Sequence, residues 1–152
     1  MTEFDTLAAI VEVAEQHIPF NRILGVENCR IGDDGTVRIR VQHRDELVGN
    51  FARGFLHGGV ISATLDVVGG IAAMLGVVGR ELPTSREEAG RIFSKIGTID
   101  MRIDYLRPGV GEWFDASASL LRTGSRVAVT RMEFHNDRGT LIAVGTGTYI
   151  VG

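Results

Sequence analysis

Residues that form disulfides and metal centres are scarce in this sequence. It contains one cysteine, Cys29, among 152 residues, which excludes an internal disulfide and a multi-cysteine metal site. The four histidines, at positions 17, 43, 57 and 135, do not show the spacing of metal ligands. A lone cysteine is compatible with a reducing compartment, so we expect a cytoplasmic protein.

The sequence also lacks an excess of positive charge and the common nucleotide motifs. With 16 Lys and Arg against 19 Asp and Glu, the net charge is −3, so we expect no nucleic-acid partner. There is no Gly-x-Ser-x-Gly motif, no Walker loop and no dinucleotide fingerprint, and we expect no cofactor. Because Glu3 and Asp5 stand where a signal peptide needs basic residues, we expect no secretory signal.

Length and composition indicate one folded domain. Hydrophobic residues make up 44% of the chain and charged residues 23%, which are ordinary values for a protein with its own core. Neither a repeat nor a linker divides the chain, so we expect a single domain over residues 1–152. The 20 glycines are scattered, which indicates turns and close backbone contacts.

The first part of the chain predicts one helix and one hairpin. Apolar residues at helical spacing indicate an N-terminal helix over about residues 2–17, ending before Pro19. The turn sequence Asp33-Asp34-Gly35 separates two strand-like segments, residues 23–31 and 36–42. We expect these two segments to pair as a hairpin.

The second half of the chain predicts four strands. Residues 98–106 alternate polar and apolar side chains, and the apolar set on one face is Ile99, Met101, Ile103 and Tyr105. Three more strand-like runs follow, at residues 112–122, 126–135 and 140–150. Strands joined by loops this short are antiparallel.

An apolar segment at residues 58–79 predicts a long buried helix. The segment is long enough to span a bilayer, but it contains Asp66 and six glycines and lacks basic flanks and an aromatic belt. We therefore expect no membrane partner. A helix that is apolar nearly all round is buried on most sides, so we expect an α+β fold with an antiparallel sheet curved around it.

The inserted segment at residues 80–95 predicts a short additional helix. Thr84 or Ser85, followed three residues later by an acid of the pair Glu87-Glu88, forms a capping-box pattern. We expect this helix over about residues 85–92.

Small residues surround a single acid on the long helix. On a helical wheel, the residues within about 60° of Asp66 are Gly59, Ser62, Ala63, Gly69, Gly70 and Ala73. Close packing of another element would explain the small residues, with Asp66 satisfied by an arginine or by backbone amides. Burying an unpaired carboxylate is costly, however, so we favour an acid kept free beside a substrate. On this interpretation Ser62, Gly69 and Gly70 contact the substrate.

Two weaker features lie upstream of the acid. The amides of His57-Gly58-Gly59 stand at the start of the long helix, where free N–H groups bind oxyanions. A tight entry turn is the structural alternative. We expect Gly58 to contact the substrate. Asn50, seven residues before His57, would by itself be an ordinary loop residue, and only its spacing to these residues makes it a candidate site residue.

Taken together, these residues resemble the hotdog-fold acyl-CoA thioesterases, in particular the PaaI-like branch named for phenylacetic acid degradation. The resemblance covers roughly residues 20–150 and is carried by Asn50, Leu56-His57-Gly58-Gly59, Leu65-Asp66 and residues 98–108. It implies a hotdog fold, in which a curved sheet wraps around one long central helix. It also implies hydrolysis of an acyl-CoA thioester to a free acid and CoA.

The resemblance implies a role for each matching residue. Asp66 matches the catalytic acid, which acts as nucleophile or as the base that activates water. Gly59 matches the amide that polarises the thioester carbonyl, with His57 beside it. Asn50 matches the asparagine that positions carbonyl or water, and Thr98 falls where relatives carry a hydroxyl near the water. Members of this branch share the site across a dimer interface, the acid from one subunit and the Asn/Gly group from the other, and the dimers often form tetramers.

The chain departs from typical relatives in two respects. The stretch between Asp66 and Thr98 is longer by about the inserted helix, for which a cover over the acyl tunnel and an oligomer contact are the two alternatives, so the acyl-chain preference is not inherited. No residue clearly matches a binder for the nucleotide end of CoA. The candidates are three arginines near turns, Arg107, Arg122 and Arg126.

Two other functions remain open from the sequence. One is a hotdog enoyl-CoA hydratase or dehydratase, in which an acid and a histidine both reach the substrate. The other is a non-catalytic protein that binds or senses acyl-CoA. The N-terminal 20 residues are too short to add the DNA-binding helices of such a regulator.

Overall fold

The N-terminal segment is helical as far as residue 17. In the computed structural model, which describes residues 3–80 and 82–152, helix α1 (Glu3–Glu12) continues into a π-helical turn (Val13–His17). Buried Thr6, Ile10 and Ala14 are four residues apart and therefore share the face that packs on the molecule. The helix predicted at the N-terminus is confirmed over the described residues, and residue 2 lies outside them.

A second helix replaces the first part of the predicted hairpin. Pro19 stands in the first turn of α2 (Pro19–Leu24), where its missing N–H has no helical partner to lose. Gly25 ends α2 with a φ of 73°. Strand β1 (Glu27–Ile31) therefore begins at Glu27. The prediction that it begins at residue 23 is wrong, because Pro19 starts a helix as well as ending one.

Six antiparallel strands form one sheet. After β1 come β2 (Val37–Gln42), β5 (Gly97–Tyr105), β6 (Trp113–Thr123), β7 (Val127–Asn136) and β8 (Leu141–Ile150). The order across the sheet is β1-β2-β6-β7-β8-β5. The four predicted C-terminal strands and their hairpins are confirmed. Between β2 and the long helix, β3 (Val48–Asn50) and β4 (Phe55–Leu56) form a small separate ribbon that the sequence does not predict.

Helix α3 (Gly58–Val78) runs across the inner face of the sheet and contacts β2, β5, β6, β7 and β8. Leu65 and Val68 are fully buried in one core with Phe114, Met132 and Phe134. Length and hydropathy alone would suit a membrane span, but the fold buries 50% of the apolar window of α3. The predicted α+β architecture, a curved sheet around one long helix, is confirmed as a hotdog fold.

The predicted extra helix is present as α4 (Arg86–Ser94). The Ser85 hydroxyl accepts a hydrogen bond from the Glu88 amide at 3.2 Å, and the Glu88 carboxylate accepts one from the Thr84 amide at 2.8 Å. Ser85 therefore caps α4 as predicted, whereas the reciprocal bond of the Glu88 carboxylate goes to Thr84, one residue before the N-cap. No residue of α4 is fully buried, so the helix lies on the surface of the fold.

Strand β5 is the last strand of the sheet and pairs with β8 alone among the described residues. The register shifts at Ile99, which sits on a bulge and is 56% exposed. The prediction that Ile99 shares a face with Met101 and Ile103 is therefore wrong. The bulge places Thr98 opposite Tyr149. Alternation could not reveal it, because the extra residue is set by pairing with a distant strand.

Candidate active site

Asp66 lies in the middle of α3, half-buried, with one carboxylate oxygen fixed. Its Oδ1 accepts a hydrogen bond from the Thr98 hydroxyl at 2.8 Å, which joins α3 to the first residues of β5. Among the residues that the structure describes, no Lys or Arg forms an ion pair with this carboxylate. The internal ion pair that would make Asp66 a purely structural residue is therefore not formed in this part of the chain.

Asp66 and Thr98 open onto an apolar cavity of about 250 Å³, which we call the inner chamber. Its walls come from α1 and the turn after it, α2, α3, α4, the start of β5 and the end of β8. They are Ile10, Val13, Ala14, Ile18, Phe20, Asn21, Val67, Gly70, Ile71, Met74, Phe93, Ile96, Gly97 and Tyr149. A carboxylate at the edge of an apolar chamber suits a substrate with a polar reacting group and a hydrocarbon chain.

Tyr149 supports the acid from the sheet side. Its hydroxyl donates to the backbone carbonyl of Asp66 at 3.3 Å and contacts the Met132 sulfur at 3.8 Å. Burial, with a smaller contribution from the Asp66 charge, raises the pKa of the Tyr149 phenol, so it stays a neutral donor. Sequence reasoning missed this residue. The available signal was a tyrosine within a predicted strand, since a buried Tyr hydroxyl needs a partner.

The small residues around Asp66 have two different roles. Gly70 lines the inner chamber, as expected of a residue beside the substrate. Gly69 is buried and faces Tyr149, whose hydroxyl a Cβ at this position would overlap. The expectation that Gly69 contacts substrate is therefore corrected, because close packing explains its size. The Ser62 hydroxyl donates back to the Gly59 carbonyl at 3.0 Å.

The upstream candidates form a second cluster at the N-terminus of α3. They line a separate cavity of about 380 Å³, whose polar and glycine residues include Asn50, His57, Gly58, Tyr105 and Arg107. The Tyr105 hydroxyl donates to the Gly58 carbonyl at 3.1 Å, which ties this cluster to the last residue of β5. Sequence reasoning placed Tyr105 only on an apolar strand face and missed this contact.

His57 caps α3 by binding the Gly59 amide, the N–H group that a substrate carbonyl would need as a donor. Its Nδ1 accepts a hydrogen bond from the Gly59 amide at 2.7 Å. The amide expected to polarise a thioester carbonyl is therefore engaged by the imidazole. A carbonyl oxygen reaches that N–H only after the ring of His57 turns away.

The two clusters lie apart within one chain. Gly58 and Asp66 are eight residues apart on one helix, which corresponds to about 12 Å. The two cavities have no lining residue in common. The structure thus brings Asp66 together with Thr98. It also brings Asn50 together with His57 and Gly58, but within one chain these two groups of residues line different cavities.

The three candidate arginines are also dispersed. Arg107 lies at the second cluster, where its guanidinium donates to the Leu141 carbonyl at 2.9 Å. Arg122 is the penultimate residue of β6, whose end packs near Gly76 of α3 through Leu120 and Thr123, and Arg126 lies in the β6–β7 turn. No single basic site for a nucleotide follows from these three. The described residues contain no group of three His, Cys, Asp or Glu side chains that could hold a metal.

Comparison with known proteins connects this arrangement to thioesterases. The profile of the thioesterase superfamily matches residues 53–143, which is more than half of the chain. The chain is 42% identical to the medium/long-chain acyl-CoA thioesterase YigI of Escherichia coli, over 100% of this chain and 97% of the relative. It is 41% identical to the protein of the same name from Salmonella typhimurium, with the same coverage.

The fold comparison agrees. A crystal structure from Shewanella oneidensis, of a protein related to the thioesterase superfamily, superimposes with a TM-score of 0.90 at 45% sequence identity. The match covers 98% of this chain and 97% of that one. The agreement therefore includes the N-terminal helices and the inserted α4, and extends beyond the matched central segment.

Proposed function

This chain belongs to the thioesterase superfamily, and from that premise we propose that it hydrolyses medium- to long-chain acyl-CoA thioesters with Asp66 as the catalytic carboxylate. One observation carries the proposal. Asp66 has one oxygen held by Thr98, has no ion pair among the described residues, and opens onto an apolar chamber. The names of the 42% and 41% identical relatives support the choice of substrate.

The chemistry needs a nucleophile and a place for the proton. Water adds through its oxygen to the thioester carbonyl carbon while Asp66 accepts the proton, and the C–S bond then breaks, releasing the acid and the CoA thiol. Direct attack by Asp66 on the carbonyl carbon would instead break the C–S bond, expel the CoA thiolate, which takes a proton from water, and form an acyl anhydride that water then hydrolyses. In both routes Thr98 fixes Oδ1, so Oδ2 is the oxygen that reacts.

Negative charge develops on the carbonyl oxygen in either route and needs a donor. The amide of Gly59 is the candidate, and its present partner is the Nδ1 of His57. On substrate binding, the carbonyl oxygen replaces the imidazole nitrogen as acceptor. Loss of one such donor typically slows acyl transfer about a hundred- to a thousandfold.

We infer that the complete site needs two chains. Asp66 is tied to the first residues of β5 through Thr98, and the Asn50–His57 cluster is tied to its last residue through Tyr105. If two β5 edges pair antiparallel about a two-fold axis, the beginning of one strand lies beside the end of the other. The acid of one protomer then meets the amide cluster of its partner. The two groups that lie about 12 Å apart along α3 within one chain are thereby brought to one site.

Replacement of Asp66 by Asn tests the central assignment. The amide keeps the size and the Thr98 hydrogen bond, so Asp66→Asn should fold normally and lose at least about a hundredfold in kcat. Thiol release from acyl-CoA substrates measures the rate, and circular dichroism checks the fold. Wild-type turnover by Asp66→Asn would overturn the assignment. An enoyl-CoA that loses its conjugated absorbance without thiol release would instead indicate a hydratase.

A further inference from the structure

A second apolar cavity adjoins the inner chamber beneath α1 and α4. This outer chamber has a volume of about 200 Å³. The two chambers share four lining residues, Ile10, Val13, Met74 and Phe93. These side chains form the neck between the chambers, with α1 on one side, α4 on another and α3 as the floor.

The two chambers follow α3 away from the acid. Asp66 borders the inner chamber, Met74 the neck and Val78 the outer chamber. Along a helix, Met74 is about 12 Å and Val78 about 18 Å from the level of Asp66. The chambers therefore lie one after the other along the length of α3.

The path is apolar in the middle and polar at both ends. Asp66 and Thr98 stand at the inner end. At the outer end are Arg86 and the pair His17–Glu12, whose side chains are 3.2 Å apart and exposed. An unbranched hydrocarbon chain matches this profile, because it gains from burial at every carbon and carries no polar group that needs a partner.

We propose that the outer chamber is a binding site for the distal part of the acyl chain, and that α1 and α4 together set the longest chain the protein accepts. This proposal rests on the proposed thioesterase function and adds to it the location of the chain. The carbonyl lies at Asp66, the first carbons fill the inner chamber, and longer chains pass the neck at Met74 and Phe93. Of the two roles left open for the inserted segment, a cover over the acyl tunnel and an oligomer contact, this proposal selects the first and makes α4 a wall of the substrate site.

Gly90 offers a way to fill the outer chamber without disturbing the fold. It lines that chamber from α4, and a Cβ built on it meets nothing within 4 Å. Ala9 lines the same chamber from α1, on the opposite wall. A phenylalanine at either position occupies the space that the distal carbons would take. Glu87 is exposed, lies on α4 and lines neither chamber, so Glu87→Phe is the matched control.

The experiment compares kcat/KM for a series of saturated acyl-CoAs from short to long. Each methylene excluded from an apolar site should cost about fourfold in kcat/KM. Gly90→Phe and Ala9→Phe are therefore each expected to lower the long-to-short ratio of kcat/KM at least about tenfold. Glu87→Phe should keep the wild-type ratio. Thermal unfolding of each variant identifies any that fails to fold.

The possible outcomes distinguish a failure of the outer-chamber assignment from a failure of the proposed thioesterase function. If the wild-type protein releases thiol from no acyl-CoA, the proposed function itself is wrong. If it does release thiol but folded Gly90→Phe and Ala9→Phe both keep the wild-type chain-length profile, the outer chamber is not the acyl site. A ratio that also falls tenfold in Glu87→Phe would equally overturn the assignment, because bulk anywhere on α4 would then suffice.

Discussion

At the scale of single residues, the arrangement around Asp66 depends on two hydroxyl groups. Thr98 binds the carboxylate from β5, and Tyr149 binds the backbone carbonyl from β8. The sequence could predict Asp66 because a lone acid among glycines is visible on a helical wheel. It could predict Thr98 only by resemblance, and Tyr149 not at all, since both contacts depend on strands that meet α3 only in the folded chain.

The Thr98 hydroxyl should act on catalysis more than on binding. Thr98→Val keeps the shape and removes the donor, so the Asp66 carboxylate loses its fixed orientation. We expect kcat to fall about ten- to a hundredfold, with a smaller change in KM, because misplacing a catalytic group costs rate. Steady-state thiol release measures both constants. Thr98→Ser restores the donor and should recover most of kcat; a Ser variant as slow as the Val variant would refute the role of the hydroxyl.

The contact between Gly69 and Tyr149 should appear as coupling in stability. In Gly69→Ala the new methyl overlaps the Tyr149 hydroxyl and the Met132 sulfur, so we expect a loss of about 1–3 kcal/mol in the free energy of unfolding. In the Tyr149→Phe background part of that loss should disappear, as urea unfolding of the four proteins would show. Gly70→Ala is the control, because its Cβ would meet the Tyr149 ring at an ordinary 3.7 Å. Equal effects at both glycines would contradict the packing assignment.

At the scale of elements, the sequence predicted the pieces whose signals are local. The four C-terminal strands alternate and are joined by short turns, and α4 carries its own capping box. Prediction from the sequence failed where one residue type is compatible with two structures, or where the structure depends on pairing with a distant strand. Pro19 begins α2 as well as ending the preceding helix, and the bulge at Ile99 exists only through pairing with β8. The chambers under α1 and α4 could not be predicted, because no local pattern shows which elements enclose a space.

The reactivity of the Cys29 thiol measures how firmly the N-terminal helical segment, which contains Glu15, packs against β1. The Cys29 amide donates to the Glu15 carboxylate at 2.6 Å, and burial, with the nearby Glu15 charge, raises the pKa of its thiol to about 11. The reactive thiolate is therefore rare at pH 8, and alkylation should accelerate about tenfold per pH unit until the pH approaches that value. Mass spectrometry after iodoacetamide treatment measures the rate. Labelling at pH 8 as fast as in urea would show that the segment detaches readily.

At the scale of the whole molecule, the two proposed half-sites lie at opposite ends of β5, whose outer edge pairs with none of the strands described. The sequence could predict both halves but not their separation, since the spacing of Asn50 and Asp66 along the chain does not show that their side chains face different cavities. The separation is explained if the functional unit is a pair of chains. The free edge of β5 provides the backbone donors and acceptors for such a pairing.

Complementation between two inactive variants tests the two-chain site directly. Asp66→Asn lacks the acid, and Gly59→Pro lacks the amide N–H proposed to bind the carbonyl oxygen, at a position in the first turn of α3 where proline is tolerated. In a heterodimer isolated with two different affinity tags, one of the two sites combines the intact half of each chain. Its thiol-release rate should therefore reach about half of the wild-type rate per dimer, while each variant homodimer stays near background. A heterodimer as inactive as the homodimers, or a wild-type protein that is active as a monomer in sedimentation, would show that each chain completes its own site.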